Sequence, residues 1–350
     1  MMNEIKTYNL SQLEDLTSRY GQPKFRAKQL YEWLVGKHAI SYDEMTNLPK
    51  DFRAQLAQDY PLATCEVIDR QVSKDGTRKY VVCFHDGCMV ETVAMPTGEN
   101  DERLTVCFST QVGCAMECAF CATGREGFCR NLTANEMTEQ VSLVERDFGR
   151  RVTNLVAMGQ GEPFLNYDAL IEALRMANSA DSFNIGARHI TVSTCGIIPG
   201  IDQLAEEPEQ FTLAISLHSA IQEKRDQLMP RVSHQPLPSL KKSLKHYVEK
   251  TNRRVSFEYL LIKGVNDGEE DLQALLDFCD GLLCHVNLLP MNKIAGSPFQ
   301  PSPRYIADHW ISTLGKHHIE ATMRRSRGSD IAGACGQLKN SLQNVSRETI

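Results

Sequence analysis

Cys114, Cys118 and Cys121 stand C-x3-C-x2-C within eight residues, the arrangement in this sequence most suggestive of chemistry. Thiolates bind soft metals, but four-thiolate zinc sites usually come as two C-x2-C knuckles well separated in the chain. No second knuckle follows here. Compact loops of this kind hold iron-sulfur clusters, and three cysteines leave one iron of a [4Fe-4S] cube without a protein ligand. A vacant iron is a place for a second molecule to bind. The competing reading is a zinc staple in which Cys107 or Cys129 supplies a fourth thiolate, as in a non-catalytic RNA-binding protein.

The elements that must position these thiols alternate from Leu104 onward. Six apolar runs, LTVCFS (104–109), TNLVAMG (153–159), HITVSTCG (189–196), FTLAISLHS (211–219), VSFEYLLIKG (255–264) and HVNLLPMN (285–292), read as strands. Helical patterns fall near 133–148, 167–179, 199–206, 221–250, 268–280 and 302–315. Six strand-helix units in series imply parallel strands and right-handed crossovers, hence an α/β barrel, complete or partial, or a doubly wound sheet. In either case ligands bind at the carboxyl ends of the strands. The cysteine loop falls there, as do GQGEP with Gly161 and Glu162, STCG with Ser193, SLHS with Ser216 and His218, and MNK with Asn292. Taken singly, each polar residue reads equally well as a strand-end cap.

Upstream the period changes twice. Residues 1–60 read as three helices: one with a Ser11/Glu14 capping box that closes at Gly21-Gln22-Pro23, one presenting Leu30, Trp33 and Leu34 on a single face, and one pairing Phe52 with Leu56. CEVIDRQVS, KYVVCFH and MVETVAMP, separated by KDGT and HDG, read as a three-stranded antiparallel meander, with a linker at 96–102. The predicted organisation is a helical accessory domain (1–60), a meander extension (61–98), the α/β core (99–340) and a tail (341–350).

No apolar run is long enough to span a bilayer, and the opening MMNEIKTYNLS lacks the basic start and apolar stretch of a signal peptide, so a soluble, cytoplasmic protein with no membrane partner is expected. Twelve cysteines in that setting point to metal or catalysis rather than a disulfide framework. A net charge of -6 argues against nucleic-acid binding by bulk electrostatics, so any such partner must meet a local basic patch. Arg324, Arg325 and Arg327, Arg150-Arg151, Lys241-Lys242-Lys245 and Arg253-Arg254 are the candidates. Cys65, Cys83, Cys195, Cys279 and Cys284 read as small buried hydrophobes.

The chain from about Pro23 to Leu338 resembles the RlmN/Cfr family of radical S-adenosylmethionine RNA methyltransferases. The residues that carry the resemblance are PKFRAKQLYEWL, DEMTNLP, VETV, CFSTQVGCAMECAFCATG, MG-x-GEP, STCGIIPGI, LAISLHSA, GVNDG and RGSDIAGACGQL. Gln160 stands where a methionine is usual. The resemblance implies a partial (β/α)6 barrel bearing the N-terminal helical and meander accessories. It implies a [4Fe-4S] cluster on Cys114, Cys118 and Cys121, whose open iron takes S-adenosylmethionine, with two molecules of the latter used per turnover. Gly161 and Glu162 would meet the methionine ammonium, while Ser193, Ser216, His218 and Asn292 would bond the ribose, carboxylate or adenine.

The family's chemistry answers a difficulty of adenine, whose C2 and C8 are too electron-poor to attack a methyl sulfonium. By resemblance, Cys335 accepts a methyl group, a 5'-deoxyadenosyl radical removes a hydrogen from it, and the resulting methylene radical bonds to the base. Glu91 would take the ring proton, and Cys107 would attack Cys335 to free the product as a disulfide forms. That step needs the two Cα atoms within about 6 Å. The implied partners are 23S rRNA, tRNA and an electron donor such as flavodoxin or ferredoxin, with the enzyme a monomer. Val112 stands where C8-directed members carry a cysteine, which favours C2 over the C8 alternative.

Overall fold

The computed structural model describes residues 5–62, 65–98, 102–294 and 296–339; the tail 341–350 and part of the 96–102 linker lie outside them. The N-terminal unit packs α1 (Leu10–Arg19), α2 (Phe25–Tyr31) and α3 (Lys50–Asp59) around Leu13, Leu16, Leu30, Leu34, Phe52 and Leu56. The capping box lies two residues earlier than expected. Asn9 accepts from Gln12 N at 2.9 Å and Gln12 Oε1 accepts from Asn9 N at 2.8 Å. An amide oxygen caps as well as a hydroxyl, so both patterns were available to the sequence. Helix α2 widens into a π-turn over Glu32–Gly36. Trp33, in that turn, packs half-buried against the Leu30 and Leu34 core, its indole donating to Asn47 Oδ1 at 2.6 Å and Lys37 lying over its ring.

The meander consists of β1 (Glu66–Val72), β2 (Arg78–Cys83) and β3 (Met89–Pro96). Strand β3 pairs antiparallel with β4 (Leu104–Cys107), placing Val93 opposite Cys107. The meander therefore continues the barrel's own sheet. After β4, two short strands, β5 (Gln111–Gly113) and β6 (Phe128–Asn131), pair antiparallel and clasp the cysteine loop at its base, an element the sequence pattern did not reveal.

The barrel then runs α4 (Ala134–Phe148), β7 (Asn154–Ala157), α5 (Tyr167–Asn178), β8 (Ile190–Thr194), α6 (Ile198–Glu206), β9 (Thr212–Ser216), α7 (Gln222–Leu228), α8 (Leu237–Thr251), β10 (Val255–Leu261), α9 (Glu269–Cys279), β11 (Cys284–Pro290), α10 (Arg304–Lys316) and β12 (Glu320–Met323). Neighbours in the order β4-β7-β8-β9-β10-β11-β12 are all parallel. The six predicted strands are present, and β12 adds a seventh whose four residues, EATM, were too short and polar to register. The helical stretch expected over 221–250 is two helices, because Pro230 and Pro236 lack the N–H needed to continue one. Tyr259, Phe257 and Trp310 are fully buried between sheet and helices.

The helical unit docks on this frame through a buried Lys6–Glu139 ion pair and through His38, whose ring stacks on Phe183 at 3.8 Å. Among the described residues no helix is long and apolar enough to cross a membrane.

Candidate active site

The carboxyl ends of the barrel strands meet at a cavity of about 170 Å³. Cys114, Cys118, Cys121, Gly161, Glu162, Ser193, Ser216, His218, Asn292 and Cys335 all line it. A second cavity of about 380 Å³ adjoins it, where Cys107 and Cys335 share a wall with Met158 and Arg324. Of the sequence-predicted site residues, Glu91 alone lines neither.

The cysteine loop is held at several points. Cys114 donates its N–H to Gly127 O at 2.9 Å, Cys121 to Cys118 O at 3.0 Å, and Ala119 to Leu228 O of α7 at 2.9 Å. Gly124 packs on the backbone of Cys118 so closely that a Cβ would lie 2.9 Å from its N. Burial pushes the Cys114 thiol up to about 12 and raises Cys118 and Cys121 as well, so without a metal the loop holds protons. Cys114 feels Cys121, and Cys118 feels both of the others. Among the described residues no three His, Cys, Asp or Glu side chains converge closely enough for one ion. All three thiols line one cavity, and a three-thiolate set suits a [4Fe-4S] cube with one iron left open. Neither thiol considered as a fourth ligand joins it: Cys107 opens to the second cavity and Cys129 is exposed on β6. Cys195, which the sequence suggested was inert packing, lines the cluster cavity and hydrogen-bonds to Glu162.

The turn after β7 is built on contacts that only glycine permits. Gly161 has φ +107°, and a Cβ there would lie 2.7 Å from both Gln111 Cβ and Thr110 Oγ1. The Glu162 carboxylate is fully buried and already occupied on both oxygens: Oε1 accepts from Phe164 N at 3.1 Å and Oε2 from Cys195 N at 2.8 Å. Its first task is therefore to fix the turn against β8; burial raises its pKa. Gln160 ties the same turn to the meander, accepting from Glu91 N at 3.0 Å, while its own N–H donates to Ser109 Oγ at 2.9 Å.

Ser193 and Ser216 sit on β8 and β9 with their hydroxyls 3.5 Å apart. His218 has φ +56° and accepts at Nδ1 from Leu260 N at 3.1 Å, which leaves the proton on Nε2. Burial lowers its pKa to about 3, so it is neutral, and Phe120 packs edge-on against its ring. Asn292 does something the sequence did not indicate. Its Nδ2 donates to Cys335 O at 3.1 Å and its Oδ1 accepts from Ser326 at 2.8 Å, so it holds the C-terminal loop.

That loop folds over the barrel mouth. Ala122 of the cysteine loop donates to Gly336 O at 2.8 Å, Thr123 Oγ1 donates to Leu338 O at 2.8 Å, and Gln337 Nε2 donates to Lys293 O at 2.9 Å. The β1–β2 turn anchors the loop's start, where Asp330 accepts from Ser73 Oγ at 2.5 Å and Asp75 accepts from Gly328 N at 3.1 Å. Cys335 is left exposed, while Cys107 is buried and its thiol is pushed up to about 12 by burial and then by Cys335. Glu91 is buried behind them. Lys79 Nζ lies 3.0 Å from Oε1, and Oε2 accepts from Lys339 N at 2.7 Å.

Several proposed phosphate contacts are engaged elsewhere. Arg324 points inward, 3.8 Å from Glu258, and its charge is favoured by Cys335. Arg327 bonds Pro96 O, Arg151 bonds Phe183 O, Lys241 bonds Asp277 O, Arg253 bonds Phe211 O, and Arg254 pairs with Glu320. Sequence pattern cannot tell an arginine that ties down a loop from one that faces solvent.

A barrel carrying a three-cysteine cluster loop at its mouth defines the radical S-adenosylmethionine class, and the Radical SAM superfamily model matches residues 108–279. A second model, the ribosomal RNA large subunit methyltransferase N-terminal domain, matches residues 4–61. A probable dual-specificity RNA methyltransferase RlmN from Clostridium novyi is 41% identical, covering 98% of this chain and 100% of its own. Its counterpart from Geobacillus thermodenitrificans is 46% identical over 96% and 92%. The crystal structure of a radical SAM methyltransferase from Sphaerobacter thermophilus superposes with a TM-score of 0.91 at 43% identity, covering 96% and 98%. The chain belongs to the RlmN family of radical SAM RNA methyltransferases, enzymes that use a [4Fe-4S] cluster and S-adenosylmethionine.

Proposed function

We propose that this protein methylates C2 of an adenosine in 23S rRNA and of the adenosine next to the anticodon in tRNA, through a methylated Cys335 that Cys107 later resolves. The observation that carries the reading is the shared wall: Cys335 lines both the cavity of the cysteine triplet and the cavity that holds Cys107. The printed names of the relatives, dual-specificity RNA methyltransferases, support the two substrate classes.

When bound to Cys114, Cys118 and Cys121, the cluster supplies the electron that cleaves the sulfonium of S-adenosylmethionine. The chain's own residues do the rest by position. Gly161 leaves room beside the turn for the methionine moiety, and Ser193, Ser216 and the Nε2–H of neutral His218 offer hydrogen bonds to the bound nucleoside. Two molecules of S-adenosylmethionine are consumed, one to methylate Cys335 and one to activate that methyl group. Exposed Cys335 reaches the flipped base, as chemistry on a base edge requires. Arg324 favours the thiolate of both Cys107 and Cys335. After the odd-electron adduct has given up one electron to the redox centre and its ring proton to Glu91, attack of the Cys107 thiolate on the Cys335 sulfur breaks the sulfur–methylene bond and forms the disulfide. The base is released, and its methylene carbon takes up a proton to become the methyl group. Glu91 accepts the ring proton once Lys339 N–H releases its oxygen, which couples that step to movement of the C-terminal loop. A small electron-transfer protein of the flavodoxin or ferredoxin kind reduces the cluster, and the enzyme acts as a monomer in the cytoplasm.

Cys107→Ala tests this. The expected product is a stable covalent protein–RNA adduct through Cys335, seen as a mass shift removed by nuclease. RNA-free protein with undiminished methylation would remove Cys107 from the scheme. Nucleoside mass spectrometry distinguishes 2-methyladenosine from the 8-methyl product.

A further inference from the structure

Arg225 on α7 is completely buried. Its Nη2 donates to Cys195 O at 2.5 Å, while Nε and Nη1 have no hydrogen-bond partner. Among the described residues no carboxylate forms an ion pair with it. Adjacent Asp226 accepts from Gln222 Nε2 at 2.7 Å and acts on the guanidinium only through space. A guanidinium keeps its charge under all ordinary conditions, and an isolated charge in a protein interior is strongly unfavourable. An orphan of this kind calls for an anion that is not part of the polypeptide.

The surroundings say where that anion sits. Cys118 and Cys195 both feel the Arg225 charge, as does neutral His218. Helix α7 is bonded to the cysteine loop through Ala119 N and Leu228 O, which fixes the guanidinium relative to Cys118. The other side is closed, since a Cβ on Gly196 would come within 3.1 Å of Nη2.

We propose that Arg225 is a built-in counter-cation for the iron-sulfur cluster, left without a carboxylate because the charge it balances arrives with the cofactor. This rests on the assignment of Cys114, Cys118 and Cys121 as cluster ligands. Three thiolates outweigh the charge of an oxidised [4Fe-4S] core, and reduction adds one more negative charge. A cation fixed on the helix bonded to the cysteine loop, its charge felt at Cys118, therefore favours the reduced state and raises the reduction potential. It also makes the cluster-free chain less stable than its packing alone would give.

The test uses the full chain, reconstituted anaerobically, as wild type, Arg225→Met and Arg225→Lys. Iron and labile sulfide are counted first. Wild type with fewer than about four irons per chain overturns the ligand assignment and this inference with it, whereas the redox comparison bears on Arg225 alone. In redox titrations followed by electron paramagnetic resonance, Arg225→Met should hold an about tenfold lower ratio of reduced to oxidised cluster at a fixed potential, or about 59 mV. Arg225→Lys should stay close to wild type. Equal potentials in the methionine variant and wild type would overturn the proposal. Thermal unfolding of the cluster-free proteins gives an independent reading: removing an unpaired cation should raise the melting temperature of Arg225→Met. A variant that melts below wild type, or does not fold, would show that packing is Arg225's role.

Discussion

Gly161→Ala asks whether the turn after β7 is as constrained as its geometry implies. Alanine at φ +107° leaves every well-populated backbone region, which costs about 1–3 kcal/mol. Its Cβ would lie 2.7 Å from Gln111 Cβ and from Thr110 Oγ1. Gln111 cannot step aside, because its Oε1 accepts from Glu162 N at 2.9 Å and its Nε2 donates to Asn131 at 2.8 Å. Overpacking against a side chain held at both ends adds about 1–3 kcal/mol. The cluster-free variant should therefore lose roughly 2–6 kcal/mol in urea unfolding. Because relief of the clash displaces the turn lining the cavity, S-adenosylmethionine binding by equilibrium dialysis should weaken at least about tenfold, which corresponds to about 1.4 kcal/mol. A variant within about 0.5 kcal/mol of wild type and equal to it in affinity would refute the reasoning.

Two further predictions concern buried charge. Lys79→Met strands the Glu91 carboxylate, which burial already holds above its ordinary pKa, and should destabilise the protein by about 3–5 kcal/mol. A carboxylate with a raised native pKa loses stability as pH rises through that value, so the penalty should be larger at pH 8 than at pH 5.5. Equal penalties in urea at the two pH values would contradict the assignment. His38 stacks on Phe183 where the helical unit meets the barrel, and burial, then the charges of Lys6 and Arg146, lower its pKa to about 4; Lys6 is itself paired with Glu139. Its contribution is complete above the unfolded value near 6.5 and is lost as pH falls toward 4, on the order of 3 kcal/mol. His38→Gln should flatten that slope, and an unchanged acid profile in thermal unfolding would place the sensitivity elsewhere.

The spacing of Cys114, Cys118 and Cys121 pointed to a metal group, because ligands to one group must be near one another and a short loop is the simplest way to achieve that; the choice of cluster over zinc came from the family resemblance. Strand-helix alternation was legible for a similar reason, since burial on both faces of a parallel strand leaves an apolar run whatever the neighbours are, but it left a barrel and a doubly wound sheet equally open. Gly161, Ser193, Ser216 and His218 were legible because strand ends converge in such folds. What stayed hidden depends on contacts between distant segments. The pairing of β3 with β4 merges the meander into the barrel sheet, and the β1–β2 turn anchors the Cys335 loop through Asp330 and Asp75. Asn292, read as a cofactor contact, lines the cavity and in addition holds Cys335, while Arg324 and Arg327 looked like phosphate contacts and are turned inward or tied to backbone. Composition records that a residue is polar or charged; only tertiary packing decides whether its partner is water, a distant carbonyl or, as for Arg225, a single carbonyl that leaves two of its three nitrogens unbonded. The sequence by itself settled which chemical groups are present and how the strands repeat. The fold alone determined which of them face one another, because that depends on where chain segments more than two hundred residues apart come to rest.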